Sequence, residues 1–278
     1  STARFYETLR IVENYANNKP ILFDTFNQYL QDNTLENRPI DAWRKIIKTC
    51  KFDCWDCNFC DKVYQSRSNI TVDKLSSDVA DILVDHVNSD YDNNVPGLTS
   101  PRVKKLLNSL AKISNNYLEV GSAMGSSAVR VLDAGTPTTC VDNWEESVQP
   151  QDGAFELPDN NKDFFENNTK NYNNITVYND DFRNVEPEQT YDLFFYDGPH
   201  DEQSVVDAVE HYAPYFDTSA VLVFDDANWD GVVSGALKGL TKTDYDITFS
   251  KMILNSIEDN TKWWNGLYLL VVHKNDSR

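Results

Sequence analysis

The stretch that decides the fold runs from residue 117 to residue 127 and reads YLEVGSAMGSS. Its first four residues form a short apolar run typical of a buried strand, and the apolar residues that follow the stretch repeat at helical spacing. Between strand and helix lie Gly121 and Gly125 among small residues, so that backbone N–H groups can approach a ligand closely. The segment therefore predicts a strand, a glycine-rich binding turn and a helix.

Further short apolar runs alternate with helical stretches after this turn. This alternation indicates right-handed crossovers and a mostly parallel sheet covered on both faces. The last two runs follow one another across a loop that contains Trp263 and Trp264, which predicts an antiparallel hairpin at the sheet edge. The predicted strands are 117–120, 138–141, 175–178, 193–196, 220–224, 245–253 and 266–273, and the predicted helices between them are 126–134, 163–172, 202–215 and 231–240.

The residues before position 100 show only helical patterns. Val79, Ile82 and Leu83 repeat at helical spacing, and Ser100 before Pro101 is typical of the beginning of a helix that continues to Ile113. We therefore expect a helical N-terminal extension over residues 1–99 and an α/β domain over residues 100–278. The sequence leaves open whether the extension caps a site or forms the face of a homodimer.

The charge balance limits the partners. The chain has 25 Lys and Arg residues against 44 Asp and Glu residues, a net charge of −19, and its field repels phosphate backbones. No apolar run approaches the roughly 18 to 20 residues that span a bilayer, and residues 1–10 lack the apolar segment of a signal peptide. We expect a cytoplasmic protein that acts on a small molecule, without nucleic-acid or membrane partners.

Cysteine usage is uneven. Cys50, Cys54, Cys57 and Cys60 are crowded together, which is unlike the spread of a secreted disulfide scaffold. The first three share a helical stripe with apolar residues, which favours buried structural thiols. A metal site and redox chemistry remain the alternatives.

Polar residues follow the second and third predicted strands. Asp142, followed by Asn143 and Trp144, can accept two hydrogen bonds from a ribose diol. The pair Asp180–Asp181 precedes Phe182 and offers acceptors for an exocyclic amine beside an aromatic ring. Carboxyl ends of parallel strands are where open α/β sheets bind ligands, so these residues predict an adenosine pocket.

A dinucleotide enzyme is the weaker interpretation of this pocket. The GxGxxG spacing is absent, and an acidic Glu119 precedes the first glycine. A short-chain dehydrogenase also lacks support, because no Tyr-x3-Lys dyad follows the fourth strand.

The fourth and fifth predicted strands end in a concentration of acids. Asp197 and His200 follow the fourth strand, and Asp225 and Asp226 follow the fifth. Three hard oxygen ligands with open positions suit Mg²⁺ or a similar divalent cation. A nearby imidazole can take a proton if it lies within hydrogen-bond reach. The alternative is that these carboxylates only cap helices or accept ordinary hydrogen bonds.

The ordered set ExGxxxG, Asp142, Asp-Asp-Phe and closing hairpin resembles the class I S-adenosylmethionine-dependent methyltransferases over roughly residues 106–273. The resemblance implies a Rossmann-like sheet in which the glycine turn wraps the methionine moiety, Asp142 holds the ribose, and Asp180 or Asp181 meets the adenine. Ala123 stands where many members have a second glycine, which is tolerable if its φ stays below zero. The implied cofactor-binding residues are Glu119, Gly121, Ser122, Ala123, Gly125, Ser126, Asp142, Asn143, Trp144, Asp180, Asp181 and Phe182.

The acids after the fourth and fifth strands resemble the metal site of O-methyltransferases of the catechol and macrolide-sugar types. That likeness implies Asp197, Asp225 and Asp226 as metal ligands, with Asp197 and His200 as the catalytic residues. The expected reaction is methyl transfer from S-adenosylmethionine to a hydroxyl of a small polar acceptor, with a sugar as one candidate. The alternative is a non-catalytic relative that serves as a binding or assembly protein.

Four tryptophans lie near the predicted strand ends and are either core residues or walls of an acceptor pocket. Core packing is the favoured interpretation for each, and Trp144 could also lie against adenine. The loop 145–161 is a candidate lid. These tryptophans are Trp144, Trp229, Trp263 and Trp264.

Overall fold

The computed structural model describes residues 74–86, 95–145, 158, 160–253 and 263–275. The helices predicted before residue 74, the cysteine cluster and most of the predicted lid lie outside the described residues. The strands are β1 (Tyr117–Val120), β2 (Thr138–Val141), β3 (Ile175–Tyr178), β4 (Tyr191–Tyr196), β5 (Phe216–Asp225), β6 (Tyr245–Ile253) and β7 (Leu267–Lys274). The helices are α1 (Lys74–His86), α2 (Pro101–Ala111), α3 (Ala128–Asp133), α4 (Asn161–Thr169), α5 (Glu202–Tyr212) and α6 (Asp230–Thr241), with 3₁₀ turns at Phe182–Asn184 and Ala213–Tyr215.

The strands form one sheet in the order β3-β2-β1-β4-β5-β7-β6. Strands β1 to β5 pair in parallel, while β7 is antiparallel to both β5 and β6. The predicted α/β fold class, a mostly parallel Rossmann-like sheet with an antiparallel C-terminal hairpin, is confirmed. Strand β5 begins earlier than its apolar run, because the buried Phe216 already pairs with Tyr191 of β4.

Two apolar cores cover the two faces of the sheet. In β4 the side chains alternate, so Phe194 packs in one core and Phe195 in the other. Val205 and Val209 of α5 share the first core with α6, and helices α1, α2 and α3 supply the second. The sheet is therefore a middle layer, and its carboxyl edge is where chain turns and side chains can meet a ligand.

Helix α1 precedes residue 100, the predicted beginning of the α/β domain, yet it packs within that domain. Its Val79 and Leu83 are buried in one core with Leu107 of α2. The compact unit that contains them runs from Asp73 to Arg278. The role of the preceding residues as a cap or dimer face stays a prediction.

Helix α6 approaches α5 through a row of three glycines. A Cβ atom on Gly235 would lie 2.6 Å from Cβ of Val205, and one on Gly239 would lie 2.6 Å from Cβ of Val209. A Cβ on Gly231 would lie 2.5 Å from the carbonyl oxygen of His200. Because contacts this short are forbidden, the glycines let the two backbones touch and hold the beginning of α6 against the turn that carries His200.

None of the described helices is long and apolar enough to cross a membrane.

Candidate active site

The candidate active site lies where β1, β2, β4 and β5 end. Val120 pairs with Val141 on one side and with Tyr196 on the other, and Tyr196 pairs with Phe224. The residues that follow these positions therefore emerge at one edge of the sheet. They are Gly121, Asp142, Asp197 and Asp225.

The turn after β1 touches the end of β4. The N–H of Gly121 donates to the Val141 carbonyl at 2.9 Å, and the N–H of Asp197 donates to the Val120 carbonyl at 2.9 Å. The φ of Gly121 is +87°, and a Cβ atom there would lie 2.1 Å from the carbonyl oxygen of Asp197. Only glycine fits this position, so the glycine turn and Asp197 at the end of β4 are held in contact.

The side chain of Asp142 is hydrogen-bonded to the glycine turn. Its Oδ2 accepts the N–H of Ala123 at 2.8 Å, and its Oδ1 accepts the N–H of Trp144 at 2.7 Å. The indole N–H of Trp144 donates to the Ala123 carbonyl at 2.8 Å. Burial raises the pKa of Asp142, and these backbone N–H groups counteract part of that rise. An ionised carboxylate has about four acceptor sites, so Asp142 keeps capacity for a diol.

The expectation that Ala123 keeps a φ below zero is wrong. Its φ is +43°, which lies in the left-handed region that favours glycine. This backbone conformation directs its N–H to Asp142 and its carbonyl to the Trp144 indole. The two hydrogen bonds hold the alanine in a conformation that costs about 1 kcal/mol or more.

Beneath the turn lies a buried acid. The side chain of Glu119 is 0% exposed and accepts a hydrogen bond from the Tyr117 hydroxyl. Burial is the main cause that raises the pKa of Glu119 to about 7, while Tyr117 and the hydroxyls of Ser122 and Ser127 act to lower it. Glu119 Oε1 and Ser122 Oγ are both buried, and the contact between the two side chains falls short of regular hydrogen-bond geometry. Incompletely satisfied buried polar atoms of this kind fit a polar ligand above the turn.

The far end of the turn packs on α4 and on the segment before α2. A Cβ atom on Gly125, whose φ is +79°, would lie 3.0 Å from the Phe165 ring. Ser126 Oγ donates to Thr99 Oγ1 at 3.2 Å, and a Cβ atom on Gly97 would lie 2.2 Å from Ser126 Oγ. Sequence reasoning missed Gly97, since a glycine after a proline signals only a turn and not what the turn touches.

The two acids after β3 have different partners. Asp181 Oδ1 accepts the N–H of Arg183 at 2.9 Å, and Asp181 Oδ2 lies 3.3 Å from the Arg183 guanidinium. Asp180 is exposed, and its Oδ1 accepts hydrogen bonds from Asp181 N–H and Asn184 Nδ2. Phe182 is only 5% exposed and packs edge-on against Tyr196. Asp181 is therefore paired with a cation, whereas Asp180 accepts from a backbone N–H and a side-chain amide.

Trp144 and Asn143 complete the edge next to Asp142. The Trp144 ring packs against Phe165, with ring centroids 5.0 Å apart. The exposed Asn143 accepts the N–H of Glu145 through Oδ1 at 3.2 Å, and its carbonyl accepts Asn179 Nδ2 at 2.9 Å. Both residues thus help to fix the loop that leaves β2.

A second group of polar side chains lies after β4 and β5. One ligand atom from each of Asp197, His200 and Asp226 lies within 4.8 Å of the others. His200 Nε2 is 2.7 Å from Asp226 Oδ2. Asp225 is buried at 8% exposure, accepts the N–H of Asp226 at 3.0 Å, and stays outside this group. The structure thus joins His200 to two of the three predicted metal ligands.

We define the acid cluster as Asp197, Asp225 and Asp226. In the protein alone, like charges and burial make ionisation of this cluster unfavourable. Desolvation, followed by the charges of Asp225 and Asp226, raises the pKa of Asp197 well above its ordinary value. Desolvation and the charge of Asp226 do the same to the pKa of Asp225. In the described ranges no lysine or arginine forms an ion pair with these acids. The oxygen and imidazole donors, without a cationic neighbour, fit a divalent cation.

The tryptophans divide between core and surface. Trp263 is 3% exposed and packs in the second core, as expected. Trp229 is 53% exposed, so the expected core packing is wrong for this residue. Its backbone lies in the turn between β5 and α6, and its ring centroid is 5.2 Å from that of His200.

Known proteins share features with this chain. Residues 118–227 match the family model described as a methyltransferase domain. This segment contains the glycine turn, Asp142 and the acid cluster, and the match confirms the resemblance predicted from those residues. No curated protein matches the chain.

Several solved structures are similar at low identity, which concerns the fold alone. N-methyltransferase NodS from Bradyrhizobium japonicum WM9, in complex with S-adenosyl-L-homocysteine, is 14% identical, with 73% of this chain and 99% of that chain covered and a TM-score of 0.46. O-methyltransferase TomG from Streptomyces achromogenes, in complex with SAM, is 16% identical, with 77% and 95% covered and a TM-score of 0.45. Cofactor-bound Rv0187 from MTB is 15% identical, with 77% and 96% covered and a TM-score of 0.47.

Proposed function

We propose that this chain is an S-adenosylmethionine-dependent methyltransferase that acts on a hydroxyl of a small polar acceptor with the help of a divalent cation. One observation carries the proposal. Asp142, tied by both oxygens to the backbone at Ala123 and Trp144, lies at the same sheet edge as Asp197 and Asp226. A diol-binding carboxylate next to a cluster of hard donors is what transfer from a nucleoside cofactor to oxygen requires.

The residues around the glycine turn fit the cofactor. Gly121 presents backbone without a Cβ atom, and Asp142 has acceptor sites left for the ribose hydroxyls. The buried Glu119 and Ser122 supply incompletely satisfied polar atoms at the same turn. When bound, S-adenosylmethionine supplies an electrophilic methyl group. The chain's own contribution is to hold the nucleoside in one orientation relative to β4 and β5.

Of the two acids after β3, we assign the adenine contact to Asp180. Asp181 caps the 3₁₀ turn and pairs with the Arg183 guanidinium, so its charge is already neutralised by a cation. The exposed Asp180 uses Oδ1 within the protein and leaves Oδ2 for an exocyclic amine.

The acceptor side would hold the cation through Asp197 and Asp226. A bound divalent cation lowers the pKa of a coordinated hydroxyl. Nε2 of His200 is 2.7 Å from Asp226 Oδ2 and pairs with that carboxylate. The other ring nitrogen, Nδ1, would therefore receive the proton that the acceptor loses, and Asp226 would stabilise the imidazolium that forms. The acidic net charge of −19 favours a small uncharged acceptor over nucleic acid.

Calorimetry with S-adenosylhomocysteine tests the cofactor assignment. Wild-type protein is expected to bind, and Asp142→Ala is expected to weaken binding by about 100-fold, because charge-assisted hydrogen bonds and the shape of the turn are both lost. Asp217→Ala, an aspartate at the other end of β5, is the control and is expected to bind like wild type. No binding heat from wild type, or unchanged affinity in Asp142→Ala, would contradict the proposal.

A methyl-transfer assay separates an enzyme from a non-catalytic relative. Labelled S-adenosylmethionine is incubated with hydroxylated metabolites and Mg²⁺, and products are identified by the mass of one added methyl group. We expect the rate to fall in EDTA and in His200→Ala. Cofactor binding without any transfer would instead support the binding or assembly role.

A further inference from the structure

We propose that Trp229 is the residue that selects the acceptor, by stacking on the apolar face of a hydroxylated ring. This inference rests on the proposed function, because it assigns the acceptor position to the space beside His200 and Asp226. The substrate class is an uncharged ring that has an apolar face and hydroxyl groups at its edge.

The backbone holds Trp229 in a defined place. The N–H of Trp229 donates to the Asp226 carbonyl at 2.9 Å, and the N–H of Asn228 donates to the Asn265 carbonyl at 2.7 Å. Trp229 has extended backbone (φ −83°, ψ 131°) as the residue before α6. The contact of Gly231 with His200 fixes this turn from the other side. The backbone that carries the indole is therefore fixed, and it places the ring beside His200.

The exposure of this ring is what requires a function. More than half of Trp229 is in solvent, at 53%, whereas Trp263 in the hairpin loop is buried at 3%. Among the described residues Trp229 has the highest exposure of the large hydrophobic side chains. A ligand that covers the indole buries a large apolar area. The exposed ring of Trp229 can therefore contribute favourable free energy to ligand binding.

The neighbours of the ring define what can cover it. The His200 ring lies 5.2 Å from the indole, tilted by 37°, and Asp226 lies against His200. An acceptor hydroxyl within reach of the free nitrogen of the His200 ring would place the rest of the acceptor against the indole. The negative π-face of tryptophan attracts weakly positive C–H groups and other aromatic rings. The carboxylates of Asp197 and Asp226 repel anions and accept hydrogen bonds from ring hydroxyls.

Two sources share this chemistry: a pyranose, which has an apolar face of C–H groups, and an aromatic diol. The experiment uses methyl α-D-mannopyranoside, methyl α-L-rhamnopyranoside and methyl β-D-glucopyranoside as sugar probes, and catechol as the aromatic probe. Each is titrated into protein with S-adenosylhomocysteine and Mg²⁺, and binding is followed by calorimetry and by tryptophan fluorescence. Trp229→Ala removes the surface, Trp229→Phe keeps a smaller ring, and Phe164→Ala is the control at an aromatic residue of α4 that is 38% exposed.

At least one probe is expected to bind and to change the fluorescence. Trp229→Ala should weaken its binding by about tenfold or more, with Trp229→Phe in between, and Phe164→Ala should bind like wild type. The fluorescence change should vanish in Trp229→Phe. Binding of sugars alone assigns a glycoside acceptor, and binding of catechol alone assigns an aromatic diol. No binding by any probe, or equal affinity in wild type and Trp229→Ala, overturns the proposal.

The S-adenosylhomocysteine titration keeps the two proposals separate. Its affinity should change by less than about twofold in Trp229→Ala, because the indole lies on the acceptor side. Normal S-adenosylhomocysteine binding together with a Trp229-independent ring contact overturns this inference and leaves the proposed function standing. Trp229-dependent ring binding without any S-adenosylhomocysteine binding overturns the proposed function instead.

Discussion

The carboxylates in the two halves of the site edge lie in different electrostatic surroundings. On the nucleoside half, after β1 and β2, the carboxylate of Asp142 accepts N–H groups from Ala123 and Trp144. On the acceptor half, after β4 and β5, Asp197 and Asp225 face further acids, and their pKa values rise. The Asp142 carboxylate of the nucleoside half is hydrogen-bonded by the backbone, whereas the acceptor half accumulates like charge.

This difference indicates that the acceptor half is the one that needs a bound cation or proton. A carboxylate with backbone hydrogen bonds is held in place before any ligand arrives, so binding there costs little ordering. A cluster of buried acids costs free energy until a cation or a proton neutralises it. We therefore expect that disrupting the backbone contacts of the nucleoside half destabilises the fold, and that removing one charge from the acceptor half stabilises it.

The largest effect is expected where the two halves touch. Gly121→Ala places a Cβ atom 2.1 Å from the Asp197 carbonyl oxygen at a φ of +87°. Left-handed strain and overpacking together should cost about 4 kcal/mol of unfolding free energy. Urea unfolding followed by circular dichroism measures this loss.

Gly135→Ala is the matched control for that substitution. Its φ is also +87°, but a Cβ atom there meets nothing within 4 Å. Only the backbone strain remains, so the loss should be about 1 kcal/mol. Equal losses in the two variants would show that the contact between the halves carries no stability.

The next effect comes from the buried acid under the nucleoside half. The pKa of Glu119 is raised to about 7 from an ordinary 4.5, so between these values the folded state binds the proton that the unfolded state has lost. Stability is therefore lost as the pH rises from about 4.5 to about 7, by about 3 kcal/mol from this group. In Glu119→Gln this contribution is absent.

The measurement compares both proteins by urea unfolding from pH 4.5 to pH 8. All other titrating groups are common to the pair, so the difference between their unfolding free energies isolates Glu119. The difference should grow in favour of Glu119→Gln as the pH rises. Parallel pH profiles would mean that Glu119 stays ionised in the fold and that burial does not dominate its surroundings.

Much of the comparison was visible in the sequence, because both halves lie directly after strands. The bounds of β1, β2, β3 and β6 follow from apolar runs between turn residues, and parallel strands carry the residues after them to one edge. The sequence therefore predicted correctly that Asp142 and Asp197 lie at that edge. The residues directly after a strand are positioned by the strand itself, so their place can be predicted from local sequence.

The remaining features depend on contacts between distant segments. The φ of Ala123 is imposed by Asp142 and Trp144, the exposure of Trp229 by the turn before α6, and the place of His200 by the approach of Gly231. The spacing of Gly231, Gly235 and Gly239 was a signal for close helix packing, but it does not state which helix is touched.

A smaller effect, of opposite sign, is expected in the acceptor half. Asp226→Asn removes one charge next to Asp197 and Asp225, and asparagine tolerates the φ of +57° found there. In EDTA the variant should be more stable than wild type by about 1 kcal/mol. In thermal unfolding experiments, Mg²⁺ should raise the melting temperature of wild type but not that of Asp226→Asn.

The control for this substitution is Asp230→Asn, an exposed aspartate in the first turn of α6. It should lose slightly in stability, because the helix N-terminus favours a negative charge. If Asp226→Asn is also destabilising in EDTA, the acid cluster is not strained and the contrast between the halves fails. If the variant keeps the full response to Mg²⁺, the cation binds elsewhere.

The smallest effect is expected for the backbone strain at Ala123 in the nucleoside half. Ala123→Gly removes the left-handed strain at a φ of +43°, worth about 1 kcal/mol, but gives the unfolded chain more freedom, so the net gain should be about 0.5 kcal/mol. Ala134→Gly, at a φ of −76°, has no strain to relieve and should lose about 0.5 to 1 kcal/mol. Thermal unfolding of both variants and wild type decides the sign. A destabilised Ala123→Gly would mean that the methyl group packs usefully in the turn, and that the strain at this residue is offset by contacts and not only by the Asp142 and Trp144 hydrogen bonds.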